Sequence, residues 1–171
     1  MRLYFRAIPI IIAGLRRKKD LSLQEESKIR LRVMPWDCAK RIVSNTRFHA
    51  FLPIAKMDLT IRLGWLPLIL QHKWKPALLS CHIRHLYPVH VFDELIIRSY
   101  IIQTSKKFIW IGHRFECKGQ IVCTAITKLS APSTSGIANI ELLMPRAHFT
   151  HHITKHNVEL LAQADSTIRN V

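Results

Sequence analysis

The side chains able to do chemistry are scattered through the chain. Four cysteines, Cys38, Cys81, Cys117 and Cys123, and ten histidines stand among 171 residues. A structural metal site needs ligands in closely spaced pairs, and no cysteine pair here has that spacing. His152 and His156 would share a helix face, but Ile153 stands where a metalloprotease motif carries its glutamate. No metal site and no disulfide framework is therefore expected. The histidines read as surface residues, and the cysteines as reduced, partly buried thiols of a cytoplasmic protein. The run PWDCAKRIVSNTR holds one acid, Asp37, and the next is Asp58. Asp37 follows Pro-Trp and suits a turn or a backbone cap. Asn45 suits a helix N-cap, Arg47 a solvated helix position and Phe48 a core position.

The elements that must position these residues follow from periodicity. Lys28 to Val33 alternates, with Ile29, Leu31 and Val33 on one face, and predicts a half-buried strand ended by Pro35. Phe48, Phe51, Leu52, Ala55, Leu59 and Leu63 recur at steps of three and four, the apolar stripe of a long helix. Pro53 falls inside the stripe, so the helix is expected to begin near Leu52, and Gly64 closes it. A second apolar stretch, WLPLILQHKW, leads to Pro76. From Ala77 the period becomes two, with Ala77, Leu79, Cys81 and Ile83 on one face. Further strand-like runs cover Leu95 to Thr104, Phe108 to Cys117 and Gln120 to Leu129. The gaps SKK and KG suit hairpins, Gly119 supplying the positive φ of the tighter one. An antiparallel meander is expected. A lone long helix must bury its stripe on that sheet, which makes an α+β fold of two layers with the sheet curled around the helix.

The length suits one domain with a sizeable core. The predicted division is residues 1–26 as a basic, apolar N-terminal segment, 27–130 as the domain, and 131–171 as linker and tail. The formal charge of +15 favours anionic partners. Nucleic acid is disfavoured, because the basic residues are spread along the chain and no recognition motif accompanies them. Leu3 to Leu15 is too short to span a membrane, and its cations follow the apolar run instead of preceding it as in a secretory signal. Two readings stay open: a short helix packed on the sheet, or an amphipathic element resting on an acidic membrane surface.

Four stretches, IRLRVMPWD, NTRF leading into KMDLTIRLG, SCHIRHLYPV with FDELIIRSYI, and IWIGHRFECKGQIVCTAITK, occur in an order and spacing that resembles the thioesterase-like hotdog proteins. The resemblance covers Ser27 to Ser130. It implies a hotdog fold, a homodimer with a site between subunits, and hydrolysis of acyl-CoA or acyl-carrier-protein thioesters without a cofactor. The edge strand left by such a sheet also points to a homodimer. On this resemblance, Asp37 is the catalytic carboxylate and the backbone near Asn45 and Thr46 polarises the carbonyl, with Thr46, Arg47 and Phe48 at the substrate. The chain departs from the pattern where that chemistry sits. Ala39 replaces the second, usually catalytic, Asp of the loop; Ile42 or Val43 replaces its His; and Pro53 stands where related helices often carry a carboxylate. A non-catalytic protein that binds acyl thioesters or serves as a membrane-peripheral scaffold is the alternative.

Overall fold

The computed structural model describes residues 21–22, 25–133, 136–137 and 140–143. The expectations for the N-terminal segment and for His152 and His156 lie outside the described residues. Strand β1 (Ser27–Arg32) leads through a 3-10 turn (Pro35–Asp37) into a two-strand hairpin, β2 (Cys38–Ala39) and β3 (Ile42–Val43). Helix α1 (Asn45–Arg62) and the short α2 (Leu66–Gln71) follow, and then the strands β4 (Ala77–His85), β5 (Glu94–Thr104), β6 (Phe108–Cys117) and β7 (Gln120–Ser130). A small strand pair, β8 (Pro132–Ser133) with β9 (Gly136–Ile137), and a 3-10 turn (Ile140–Leu143) complete the described residues. Their main sheet has five antiparallel strands in the order β1-β5-β6-β7-β4.

The meander is thus confined to β5, β6 and β7. Strand β4 was expected beside β5 but pairs with β7, at the opposite edge from β1. The connection after β4 explains the crossover. Leu86 and Tyr87 donate to the Val122 carbonyl, Val43 donates to Val89, Val91 to Arg41 and Phe92 to Val33. The segment straps one end of the sheet from β7 to β1, so its backbone groups are satisfied along the way.

Helix α1 begins at Asn45, about two turns before the expected start near Leu52. Pro53 is exposed, while Phe48, Phe51 and Leu52 before it and Ala55 and Leu59 after it are buried. An interior proline costs about 3 kcal/mol, and each fully buried large apolar side chain returns about 1.5–3 kcal/mol. Packing therefore carries the helix through. Its end is a Schellman motif: Gly64 at φ 70° donates to Ile61 and Trp65 donates to Thr60. Lys118 and Gly119 both have positive φ, the signature of a type I′ hairpin turn. A register shift between Leu78 and Ser80 turns Leu79 outward, where it is 51% exposed, against the expected inward alternation.

Candidate active site

The loop after β1 is closed by its own polar groups. Asp37 is buried; its Oδ2 accepts the Met34 N–H at 3.0 Å and its Oδ1 lies 3.2 Å from Arg47 Nε. Arg47 Nη2 also donates to the Trp36 carbonyl at 3.1 Å, and the Ser44 N–H donates to the Asp37 carbonyl at 3.2 Å. Arg47 stands in the first turn of α1, so its guanidinium ties the helix start back to the loop. A carboxylate removed from water needs such partners, because an unpaired one costs several kcal/mol.

The N-cap of α1 is Ser44, not Asn45, which is the first helical residue. Ser44 makes no side-chain cap; its hydroxyl lies 3.1 Å from that of Thr46. The first-turn N–H groups of any α-helix lack intrahelical acceptors and sit at the positive end of the dipole. Asn45 and Thr46 are exposed on that turn. Phe48 is buried, edge-on to Phe115 at 5.4 Å and to His85 at 5.0 Å between ring centroids. Of the five residues singled out in the sequence, Asp37 and Arg47 are brought into contact. Asn45 and Thr46 share the open helix end, and Phe48 is part of the core. Asp58 is buried more than three turns farther along α1, roughly 20 Å from the helix start, and cannot share a site with it.

A second polar system crosses the inner face of the sheet. Ser27 on β1 registers with Ser99 on β5, Ser99 with His113 on β6, and Thr127 on β7 with Cys81 on β4. The Ser99 hydroxyl lies 2.8 Å from His113 Nδ1, and His113 Nε2 lies 3.3 Å from Thr127 Oγ1, which itself donates to the Ile111 carbonyl at 3.5 Å. With Thr127 donating onward, its oxygen accepts from Nε2–H, so Nδ1 is the acceptor for Ser99. Burial pushes the His113 imidazole down to about 3, and the charge of Lys56 acts in the same direction. His113 is therefore neutral, and the expectation that the histidines lie on the surface fails here: His113 is 1% exposed. The row also divides the core. Ile97, Phe115 and Ala125 belong to one apolar cluster, and Ile109, Ile111 and Leu59 to the other.

At the β4 end the row opens outward. Cys81 is half-buried, and its Sγ lies 4.0 Å from Nδ1 of the exposed His49 on α1. Burial raises the Cys81 thiol above its ordinary value, an effect opposed by the nearby charge of Lys56. Burial lowers the half-buried Lys56 ammonium, opposed by Cys81.

The sequence profile of the thioesterase-like superfamily matches residues 33–131. This chain belongs to that superfamily. Solved structures agree in fold. A 1,4-dihydroxy-2-naphthoyl-CoA thioesterase from Synechocystis is 16% identical, with a TM-score of 0.62 over 70% of this chain and 92% of its own. A 4-hydroxybenzoyl-CoA thioesterase mutant bound to 4-hydroxybenzoyl-CoA is 17% identical, with a TM-score of 0.61 over 79% and 97%. A hypothetical protein from Staphylococcus aureus in complex with CoA is 8% identical, with a TM-score of 0.63 over 86% and 88%. No curated protein sequence matches the chain. The hotdog architecture expected from the sequence is thus the one this superfamily member has, a long helix against a curved antiparallel sheet.

Among the described residues no group of His, Cys, Asp and Glu is arranged to hold a metal ion, and no helix is long and apolar enough to cross a membrane. The polar row was the part missed in the sequence. Its signal was the alternation Ile109, Ile111, His113, Phe115, Cys117, which puts His113 on the apolar face.

Proposed function

We propose that the chain hydrolyses acyl thioesters of CoA or of an acyl-carrier protein. The observation that carries this is the start of α1 in a thioesterase-like domain: its first two residues, Asn45 and Thr46, are exposed, and Ser44 gives the helix no side-chain cap. A thioester carbonyl set there meets the N–H groups of Asn45 and Thr46, which stabilise the negative charge that develops on its oxygen. Lys40 and Arg41, exposed at the tip of the β2–β3 hairpin just before the helix, offer cations to the CoA phosphates. Asp37, engaged by Met34 and Arg47, acts in this reading as a positioning residue that holds the loop against the helix. The superfamily relatives named above include thioesterases and a CoA complex, which supports the substrate class.

The domain spans residues 27–130 in this reading and works as a homodimer joined through β4. The sheet's other edge, β1, carries Lys28, Arg30 and Arg32, charges that discourage edge pairing. Strand β4 instead exposes Leu78 and Leu79. Antiparallel pairing of two β4 strands about a two-fold axis would cover both.

Hydrolysis of a panel of acyl-CoA thioesters, with Asp37→Asn beside the wild type, tests the reading. Turnover in the wild type supports it, and a folded Asp37→Asn protein is expected to keep most of the rate. The absence of Asp at position 39 favours one second reading, an acyl-thioester-binding protein without turnover. Calorimetry with a non-hydrolysable acyl-CoA analogue separates the two, since binding with no hydrolysis selects the second.

A further inference from the structure

Taking the thioesterase reading as its basis, we infer that Cys81 is the nucleophile that accepts the acyl group and that His49 is the base that takes its proton. Ala39 and Pro53 supply no carboxylate and Asp37 is engaged by Met34 and Arg47, so the attacking group is sought in a thiol and imidazole that lie side by side. Asn45, His49 and Pro53 follow one another at steps of four and are all exposed on α1. They therefore form one stripe along the open face of the helix. His49 stands about 6 Å along the axis from the first turn, where the carbonyl oxygen would be held. The thiol 4.0 Å from its Nδ1 is the nucleophilic side chain brought to that stripe by the edge strand.

The surroundings fit the chemistry. Cys81 registers with Thr127 and so joins the polar row, whose other members are buried. Lys56 lies near enough to both Cys81 and His113 to influence each. An ammonium in that position stabilises a thiolate as it forms. The resting thiol is protonated, because burial holds it above its ordinary value. Such a thiol is a strong nucleophile once relieved of its proton, which gives the adjacent imidazole its task.

The balance is complete without any further reactant except water. Cys81 Sγ bonds to the thioester carbonyl carbon as its proton passes to His49. The C–S bond to CoA breaks, and the departing thiolate takes the proton from the imidazolium, leaving an acyl–Cys81 thioester. Water then attacks that carbonyl, giving one proton to His49 as the new C–O bond forms. Cys81 leaves as thiolate and recovers the proton, and the product is the free acid.

The test is acid quenching of the full chain after brief mixing with benzoyl-CoA, hexanoyl-CoA or palmitoyl-CoA, followed by intact-mass and peptide analysis. An acyl adduct on Cys81 is expected in the wild type. Cys81→Ala should carry no adduct and lose about a hundredfold in hydrolysis while still binding acyl-CoA. His49→Gln, an exposed helix substitution, should slow both acylation and iodoacetamide alkylation of Cys81 by about tenfold near neutral pH. Hydrolysis by Cys81→Ala within about twofold of wild type overturns the inference and leaves the thioesterase reading standing. An adduct that never turns over keeps the acyl-accepting thiol but removes the hydrolase. Neither adduct nor hydrolysis in the wild type overturns both. Alkylation of Cys81 at the same rate with and without His49 removes the base.

Discussion

The two polar systems that touch α1 meet the same problem, polar groups beside an apolar core, in different ways. Around Asp37 the groups close on one another: carboxylate, guanidinium, two carbonyls and two N–H groups are tied between loop and helix. The row from Ser99 to Thr127 is equally well bonded, but its next registered neighbour is the half-buried Cys81 and then the exposed His49. The first arrangement ends in itself and the second leads outward. In the proposed reading, the Cys81 end of the row is the one placed to meet a substrate.

The largest expected effect is that of acid on the row. The folded pKa of His113 lies below its unfolded value, so as pH falls the unfolded chain takes up the proton first. The stability linked to its neutral ring is complete above about pH 6.5 and is lost as pH drops toward 3. At one pKa unit per 1.4 kcal/mol, the full loss is about 5 kcal/mol. Urea unfolding midpoints measured across that range should fall steeply in the wild type and less in His113→Gln; parallel profiles would place the acid sensitivity elsewhere.

Arg47→Ala comes next. It strands a fully buried carboxylate whose partner is itself only partly exposed, and it should cost about 3 kcal/mol. Arg47→Lys should recover part of that, because it restores charge but not the fork that also reaches the Trp36 carbonyl. Chemical denaturation measures both, and a loss below about 0.5 kcal/mol would mean that the loop is not held by this pair.

A third experiment addresses the side to which the row opens. Leu79→Lys puts a charge on the β4 edge and should weaken the proposed dimer by about tenfold or more in Kd, read by sedimentation. Unchanged association would move the interface away from β4. The smallest effect belongs to the opposite edge. Arg30 and Glu94 are 3.8 Å apart and both well exposed, so Arg30→Ala should change stability by less than about 0.5 kcal/mol and leave assembly alone.

Much of the fold was legible because its periodicities are strong. The stripe from Phe48 to Leu63 and the alternation from Leu95 onward survive in the structure almost residue for residue. What could not be read were features decided by tertiary contact. The start of α1 is set by Arg47 reaching back to the loop and by the burial of Phe48 and Phe51, which outweigh the local penalty of Pro53. The pairing of β4 with β7 depends on a strap whose partners lie far away in sequence, and one extra residue near Leu79 inverted a face. The candidate site divides in the same way. Asp37 and Asn45 stood out by type within a polar loop, whereas Cys81 and His49 are 32 positions apart and meet only once the sheet has curled around the helix.

The pairing of β1 with β5 has a consequence for how the chain is made. Leu31 waits for Leu95, and the intervening chain includes the whole of α1. During synthesis the helix therefore emerges, with Phe51 and Leu59 exposed, before β5, β6 or β7 exists to receive it. The local hairpins β5–β6 and β6–β7 can close quickly, but the two outer strands must each wait for long-range closure. Folding should therefore be slow relative to helical proteins of this size, and the nascent chain should need protection of that apolar stripe until β7 has left the ribosome.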